Sequence, residues 1–121
     1  FSTCYLDEQG WPACVGDNFY GQSDVPNIKD LTQMQSGSTV SCAIDDGTIR
    51  CWGANYLGQL DVPQVTNPQK LSVGYSHACA IGDEGLLCWG YNGEQQTNVL
   101  PLDNPFDVSA GGNHTCAIDS E

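Results

Sequence analysis

The sequence predicts an all-β protein assembled from a repeated hairpin unit held by paired cysteines. Three observations carry this. Cysteines recur every 37 residues in two phases, as Cys42, Cys79 and Cys116 and as Cys14, Cys51 and Cys88. Self-similarity at a fixed period marks a repeat architecture, in which each unit buries its apolar face only against its neighbours. The apolar segments between the cysteines are short and bounded by turn residues, and none sustains a helical period.

Each unit runs through the same pieces in order. A short apolar segment leads into a glycine, as in Leu71–Gly74 and Phe106–Gly111. A small-residue strand follows, Cys42–Ile44 or Cys79–Ile81. An acidic or glycine turn reverses the chain into a second strand through Cys-Trp-Gly. A loop rich in Asn, Gly and Gln closes the unit, with Val-Pro after it at Val25-Pro26 and Val62-Pro63. Residues 1–121 thus read as a single repeat region, with units at about 1–37, 38–74 and 75–111 and a fourth beginning at 112–121.

The turn sets the register of the hairpin. Asp46-Gly47 is a strong two-residue turn signal, because glycine tolerates positive φ. That turn places Asp45 opposite Thr48, Ile44 opposite Ile49 and Cys42 opposite Cys51. Counting outward by alternation makes the cysteine pair a non-hydrogen-bonded one, where side chains sit closest and a disulfide fits. Cys4 and Cys14 follow the same scheme around a longer turn at Glu8-Gln9-Gly10. Cys79 and Cys88 do so with Gly85 expected to act as a bulge and blur the register. The expected disulfides are Cys4–Cys14, Cys42–Cys51 and Cys79–Cys88. Zinc sites call for close-set ligand pairs, which these spacings lack. Cys116 is left unpaired or intermolecular, since its repeat partner would fall just beyond Glu121. Phe1 aligns near Asn113, so the repeat implies a longer natural chain.

Composition narrows the function classes. The chain has 3 Lys+Arg against 15 Asp+Glu, a formal net charge of -12. Lys29, Arg50 and Lys70 cannot form the basic footprint that a nucleic acid requires, and an anionic membrane surface is repelled. No apolar run is long enough to span a bilayer. Seven cysteines in 121 residues point to an oxidising, extracellular setting. Asn113-His114-Thr115 fits the glycosylation tripeptide.

The recurring residues resemble the regulator of chromosome condensation repeat family. They are Ala110–Thr115, Asp45-Asp46-Gly47, Trp52-Gly53-Ala54-Asn55 with Gly58-Gln59, and Trp89-Gly90-Tyr91-Asn92. The first unit carries Val15-Gly16-Asp17-Asn18 and Gly21-Gln22, with valine in place of tryptophan, and the third has Gln95-Gln96 where Gly-Gln is expected. The resemblance implies β-propeller blades of about 37 residues, in a partial propeller or a piece of a seven-bladed one, with an open array as the alternative. The short unit and its Gly-Gln-x-x-Val-Pro ending are similar to a secreted bacterial propeller that inhibits β-lactamases.

Structural roles fall to Trp52 and Trp89 as packing between units, to Gly53 and Gly90 as close-approach positions, and to Asn55 and Asn92 as loop ties. Sugar stacking on the tryptophans is a secondary reading. His77 and His114 occupy equivalent repeat positions, which favours structural roles over ligation of a metal. The hairpin acids Asp45, Asp46, Asp83, Glu84 and Asp119 suit turns. They lack the calcium-loop pattern, leaving weak calcium binding as the one cofactor expectation. No nucleophile elbow or phosphate-cradling loop is present, so no enzyme is expected. The loop residues Phe19, Tyr20, Asn55, Tyr56, Tyr91 and Asn92 are the binding candidates, with tyrosine and asparagine read as lying in register between units. The expected function is a secreted, non-catalytic module for protein binding or self-assembly, with an enzyme inhibitor or a carbohydrate-binding module as alternatives.

Overall fold

A computed structural model describes residues 1–120; Glu121 lies outside the described residues. Ten strands run in chain order: β1 (Ser2–Leu6), β2 (Pro12–Gly16), β3 (Leu31–Ser36), β4 (Val40–Asp45), β5 (Thr48–Gly53), β6 (Lys70–Val73), β7 (His77–Gly82), β8 (Gly85–Gly90), β9 (Asp107–Ala110) and β10 (Thr115–Ile118). They form four small antiparallel sheets, β1-β2, β3-β4-β5, β6-β7-β8 and β9-β10. Each sheet is offset from the sequence unit. β3 lies at the end of the first 37 residues, yet it pairs with β4 of the next.

Asp46 and Gly47 both take positive φ, 49° and 72°, which is the backbone of a tight type I′ turn. The turn aligns β4 with β5 so that Cys42 faces Cys51 and Ile44 faces Ile49. Disulfides join Cys4 to Cys14, Cys42 to Cys51 and Cys79 to Cys88, each with a Cα–Cα distance of 4.1 Å. That short spacing belongs to the non-hydrogen-bonded cross-strand pair. The β7–β8 register runs without a shift from His77 opposite Gly90 to Gly82 opposite Gly85. Gly85 is therefore not a bulge: its φ of 90° lets Asp83-Glu84 make a two-residue turn. The irregularity lies instead in β3, between Leu31 and Gln33.

The core lies between successive sheets. All six residues of β4 are buried, and five of the six in β7. Small residues such as Ser41, Ala43, Ala78 and Ala80 allow this, because a neighbouring sheet covers each face. Trp89 of β8 reaches back onto the preceding sheet, in a cluster with Val40, Cys42, Ile44, Leu71 and Val73. Trp52 does the same one sheet earlier, against Ile28, Ala43 and the half-buried Cys14 and Met34. Each indole lies against the disulfide-bearing face of the blade before it and contributes roughly 1.5–3 kcal/mol or more by burial.

Polar contacts bolt the same interface. Trp52 Nε1–H donates to the Gln22 carbonyl at 3.0 Å, and Trp89 Nε1–H to the Gln59 carbonyl at 3.1 Å. Gln33 of β3 bridges to the next leading strand: its Nε2 donates to the Gln69 carbonyl and its Oε1 accepts the Leu71 N–H. Ser72 Oγ accepts the Ala110 N–H at 2.8 Å.

Candidate binding rim

The loops that follow β2, β5 and β8 share one frame built by two side chains. Asn18, Asn55 and Asn92 each accept a backbone N–H five residues on, from Ser23, Leu60 and Thr97, at 2.8, 2.9 and 2.9 Å. Gln22, Gln59 and Gln96 each accept the N–H two residues back, from Tyr20, Leu57 and Glu94, at 2.9, 2.8 and 2.9 Å. All three glutamines are buried. Asn55 and Asn92 are thus engaged in holding their loops. Gly53 and Gly90 enter these loops with φ of 116° and 99°, and a Cβ on either would collide with the Thr39 or Ser76 carbonyl. Those carbonyls accept the N–H of Ala54 and Tyr91.

The frame lifts aromatic rings into solvent. Phe19 is 83% exposed, Tyr56 59% and Tyr20 41%. Phe19 meets Tyr20 edge-on at 4.9 Å, and Tyr20 meets Tyr56 of the next blade at 5.4 Å. The adjacent Tyr56 hydroxyl, partial desolvation and the field of Asp17 all raise the Tyr20 hydroxyl pKa, so Tyr20 stays protonated. Asp17 accepts the Phe19 N–H at 3.0 Å.

Tyr91 does not join this line, contrary to the expectation of tyrosines in register. The position equivalent to Phe19 and Tyr56 is Gly93, and Tyr91 is half-buried with its ring folded over Gly93. Gly93 leaves the space that the ring occupies.

The remaining candidates lie outside the aromatic line, with Asn113 and His114 lining a cavity beside Glu94, Gln95 and Gln96 of the third loop. His77 is fully buried. Its Nε2 lies 2.9 Å from Thr115 Oγ1, whose hydroxyl donates to the Gln96 carbonyl at 2.8 Å. That assigns the imidazole proton to Nε2 and leaves Nδ1 without a partner. Burial lowers the His77 pKa. His114 is exposed, and a side chain at Gly111 would strike its ring, as one at Gly74 would strike His77. Asp45 accepts the N–H groups of Asp30 and Lys29 and pairs with Arg50, contacts that lower its pKa. Glu84 is lowered by the hydroxyl and N–H of Thr66. Asp83 accepts Asn67 Nδ2 at 2.8 Å. These three acids tie loops to hairpin turns. Among the described residues no group of three or more His, Cys, Asp or Glu could hold a metal. Among the described residues no helix is long and apolar enough to cross a membrane. Asn113 and Cys116 are exposed, and Cys116 is a free thiol. Trp52 and Trp89 are buried, so neither offers a face to a sugar.

The glutamines are the residues whose roles sequence reasoning missed. Their signal was present in the recurrence of Gln22, Gln59 and Gln96 at one repeat position, but a polar residue in a loop does not announce burial.

Residues 69–96 match the Regulator of chromosome condensation (RCC1) repeat. Comparison with curated protein sequences finds no match. Among solved structures, the chain is similar to the CRINKLY WD40 ectodomain of the Arabidopsis thaliana receptor kinase ACR4, at 25% identity and a TM-score of 0.75, over 99% of this chain and 43% of that one. It is also similar to the ectodomain of the Physcomitrella patens receptor kinase CR4, at 22% identity and a TM-score of 0.75, over 98% of this chain and 36% of that one. Prp20p of Saccharomyces cerevisiae matches at 14% identity and a TM-score of 0.81, over 96% of this chain and 41% of that one. The chain spans less than half the length of each, so the likeness is one of β-propeller blades. The narrower resemblance to a β-lactamase-inhibiting propeller rests on the short repeat and its Gly-Gln-x-x-Val-Pro ending.

Proposed function

We propose that this chain is a non-catalytic, extracellular protein-binding module that presents one rim of a repeat scaffold to a partner. The observation that carries this reading is the exposed aromatic line of Phe19, Tyr20 and Tyr56, on loops fixed from beneath by buried glutamines. Tyrosine and phenylalanine held rigidly on loops give contact area at low entropic cost. Three disulfides and the likeness to receptor ectodomains support an extracellular setting. The protein-partner reading gains support from Prp20p, whose structure was described with its binding to Gsp1p and histones. We read the whole chain as one repeat region of a partial propeller.

The test is capture from extracellular extract on the immobilised, disulfide-intact chain, with Phe19→Ala/Tyr56→Ala in parallel. A protein partner retained by the native rim and lost by the variant is expected. Equal recovery on both, or none on either, would overturn the reading.

A further inference from the structure

The first two loops combine their aromatic line with a charge of one sign. Residues 17–24 and 54–61 contain Asp17, Asp24 and Asp61 and no Lys or Arg. Asp24 and Asp61 occupy the same repeat position, each with Oδ2 close to the loop glycine, Gly21 or Gly58. Asp24 is further fixed by Asn18 Nδ2 at 2.7 Å. Asp24 is thus tied within its loop, and Asp17 accepts the Phe19 N–H and acts on the Tyr20 hydroxyl through its field; all three carboxylates face solvent. The three cationic side chains of the whole chain lie elsewhere: Arg50 is committed to Asp45 and the Asn27 carbonyl, and Lys29 and Lys70 lie outside these loops.

An apolar partner surface would find these carboxylates costly to desolvate. A guanidinium matches both halves. It is planar and weakly hydrated, so it stacks on an aromatic face while its edge donates to a carboxylate. A lysine ammonium is more strongly hydrated and gains less from the rings. We infer that the ridge of Phe19, Tyr20 and Tyr56, flanked by Asp17, Asp24 and Asp61, docks an arginine-bearing segment of a partner protein. This rests on the protein-binding reading above and names its partner chemistry. Rings from two adjacent blades favour an extended segment over a single side chain, and the line ends at the third blade, where Gly93 and Glu94 replace the aromatic positions.

The experiment uses the full chain with its disulfides intact and short fluorescein-labelled peptides that differ only in carrying arginine, lysine or citrulline. Anisotropy is read at about 0.15 M salt, where the Debye length is roughly 8 Å and long-range attraction is screened. The arginine peptide is expected to bind about 3- to 10-fold more tightly than the lysine peptide, and the neutral citrulline peptide not to bind. Phe19→Ala/Tyr56→Ala should remove the arginine preference, and Asp61→Asn should weaken arginine binding severalfold, both with unchanged thermal midpoints. Equal binding of arginine and lysine peptides, indifferent to ring removal, would overturn the inference as mere attraction to an acidic protein. So would absence of binding, or tighter binding of citrulline. A native partner captured in a ring-dependent way but not displaced by the arginine peptide would sink this inference and leave the protein-binding reading standing. Ring-independent capture would sink both.

Discussion

Gln95 sits at φ 63°, where the first two loops place Gly21 and Gly58 at 79° and 78°. A side chain with a Cβ is strained there, and glycine is not. Gln95→Gly should raise stability by about 0.5–1 kcal/mol, read as a higher urea midpoint at unchanged slope. His77 is the titratable counterpart of Val40 in the repeat. Burial holds its pKa below the ordinary 6.5, so the unfolded chain takes up a proton that the fold resists. Stability is therefore full above 6.5 and falls as pH drops through that value toward the folded pKa. Asp45 and Glu84 are also lowered, so their contribution fades further down, below the ordinary carboxylate range. His77→Val should abolish the first acid step and keep the second, as measured by thermal midpoints across pH. At this scale the exposed rings were legible, because loop aromatics between turn residues have little to pack against. The fate of Tyr91 was not. It depends on one missing side chain, at Gly93, and on a register that shifts its ring by two positions.

Hairpins were the most legible elements. The dipeptide Asp46-Gly47 fixes the turn, the turn fixes the pairing, and the pairing brings Cys42 to Cys51. All of that is local in sequence. β3 was harder to see. Its residues LTQMQS are polar and irregularly half-buried, and it becomes a strand by pairing with β4 and by the bridge that Gln33 throws to β6. Such pairing is tertiary and leaves a weak local pattern. The disulfide of the second blade can be tested as an element. Cys42→Ala/Cys51→Ala should lower stability by about 2–4 kcal/mol in thermal or urea unfolding, with the β-sheet circular dichroism retained. An unchanged midpoint would mean that the hairpin is held by its turn and by the Trp89 contact.

Across the whole molecule, burial is graded by the number of neighbours a sheet has. β4 and β7 are covered on both faces, while β1, β2 and β10 keep exposed residues along their length. In a repeat protein stability is a sum of unit terms and nearest-neighbour interfaces. Native-state hydrogen exchange should therefore find the slowest amides in β4 and β7 and the fastest in β1 and β10. Uniform protection would show that the four sheets unfold as one. The interfaces themselves were only half legible. The tryptophans were marked by their recurrence, but their acceptors were backbone carbonyls of the preceding blade, and no side-chain pattern records a carbonyl.

That bolt between Gln59 and Trp89 joins two different surfaces, a donor on the later blade and an acceptor on the earlier one. A joint of this kind is polar in the sense of a chain link: it has a head and a tail, and the second blade carries both, the Trp52 donor and the Gln59 acceptor. Nothing in its chemistry says when to stop. How many links make a finished object is then a matter of the rotation from one to the next, not of any further recognition. A duplicated unit would arrive already fitted with both halves of the joint. Lineages of such proteins could lengthen by copying, with natural selection left to act on the loops.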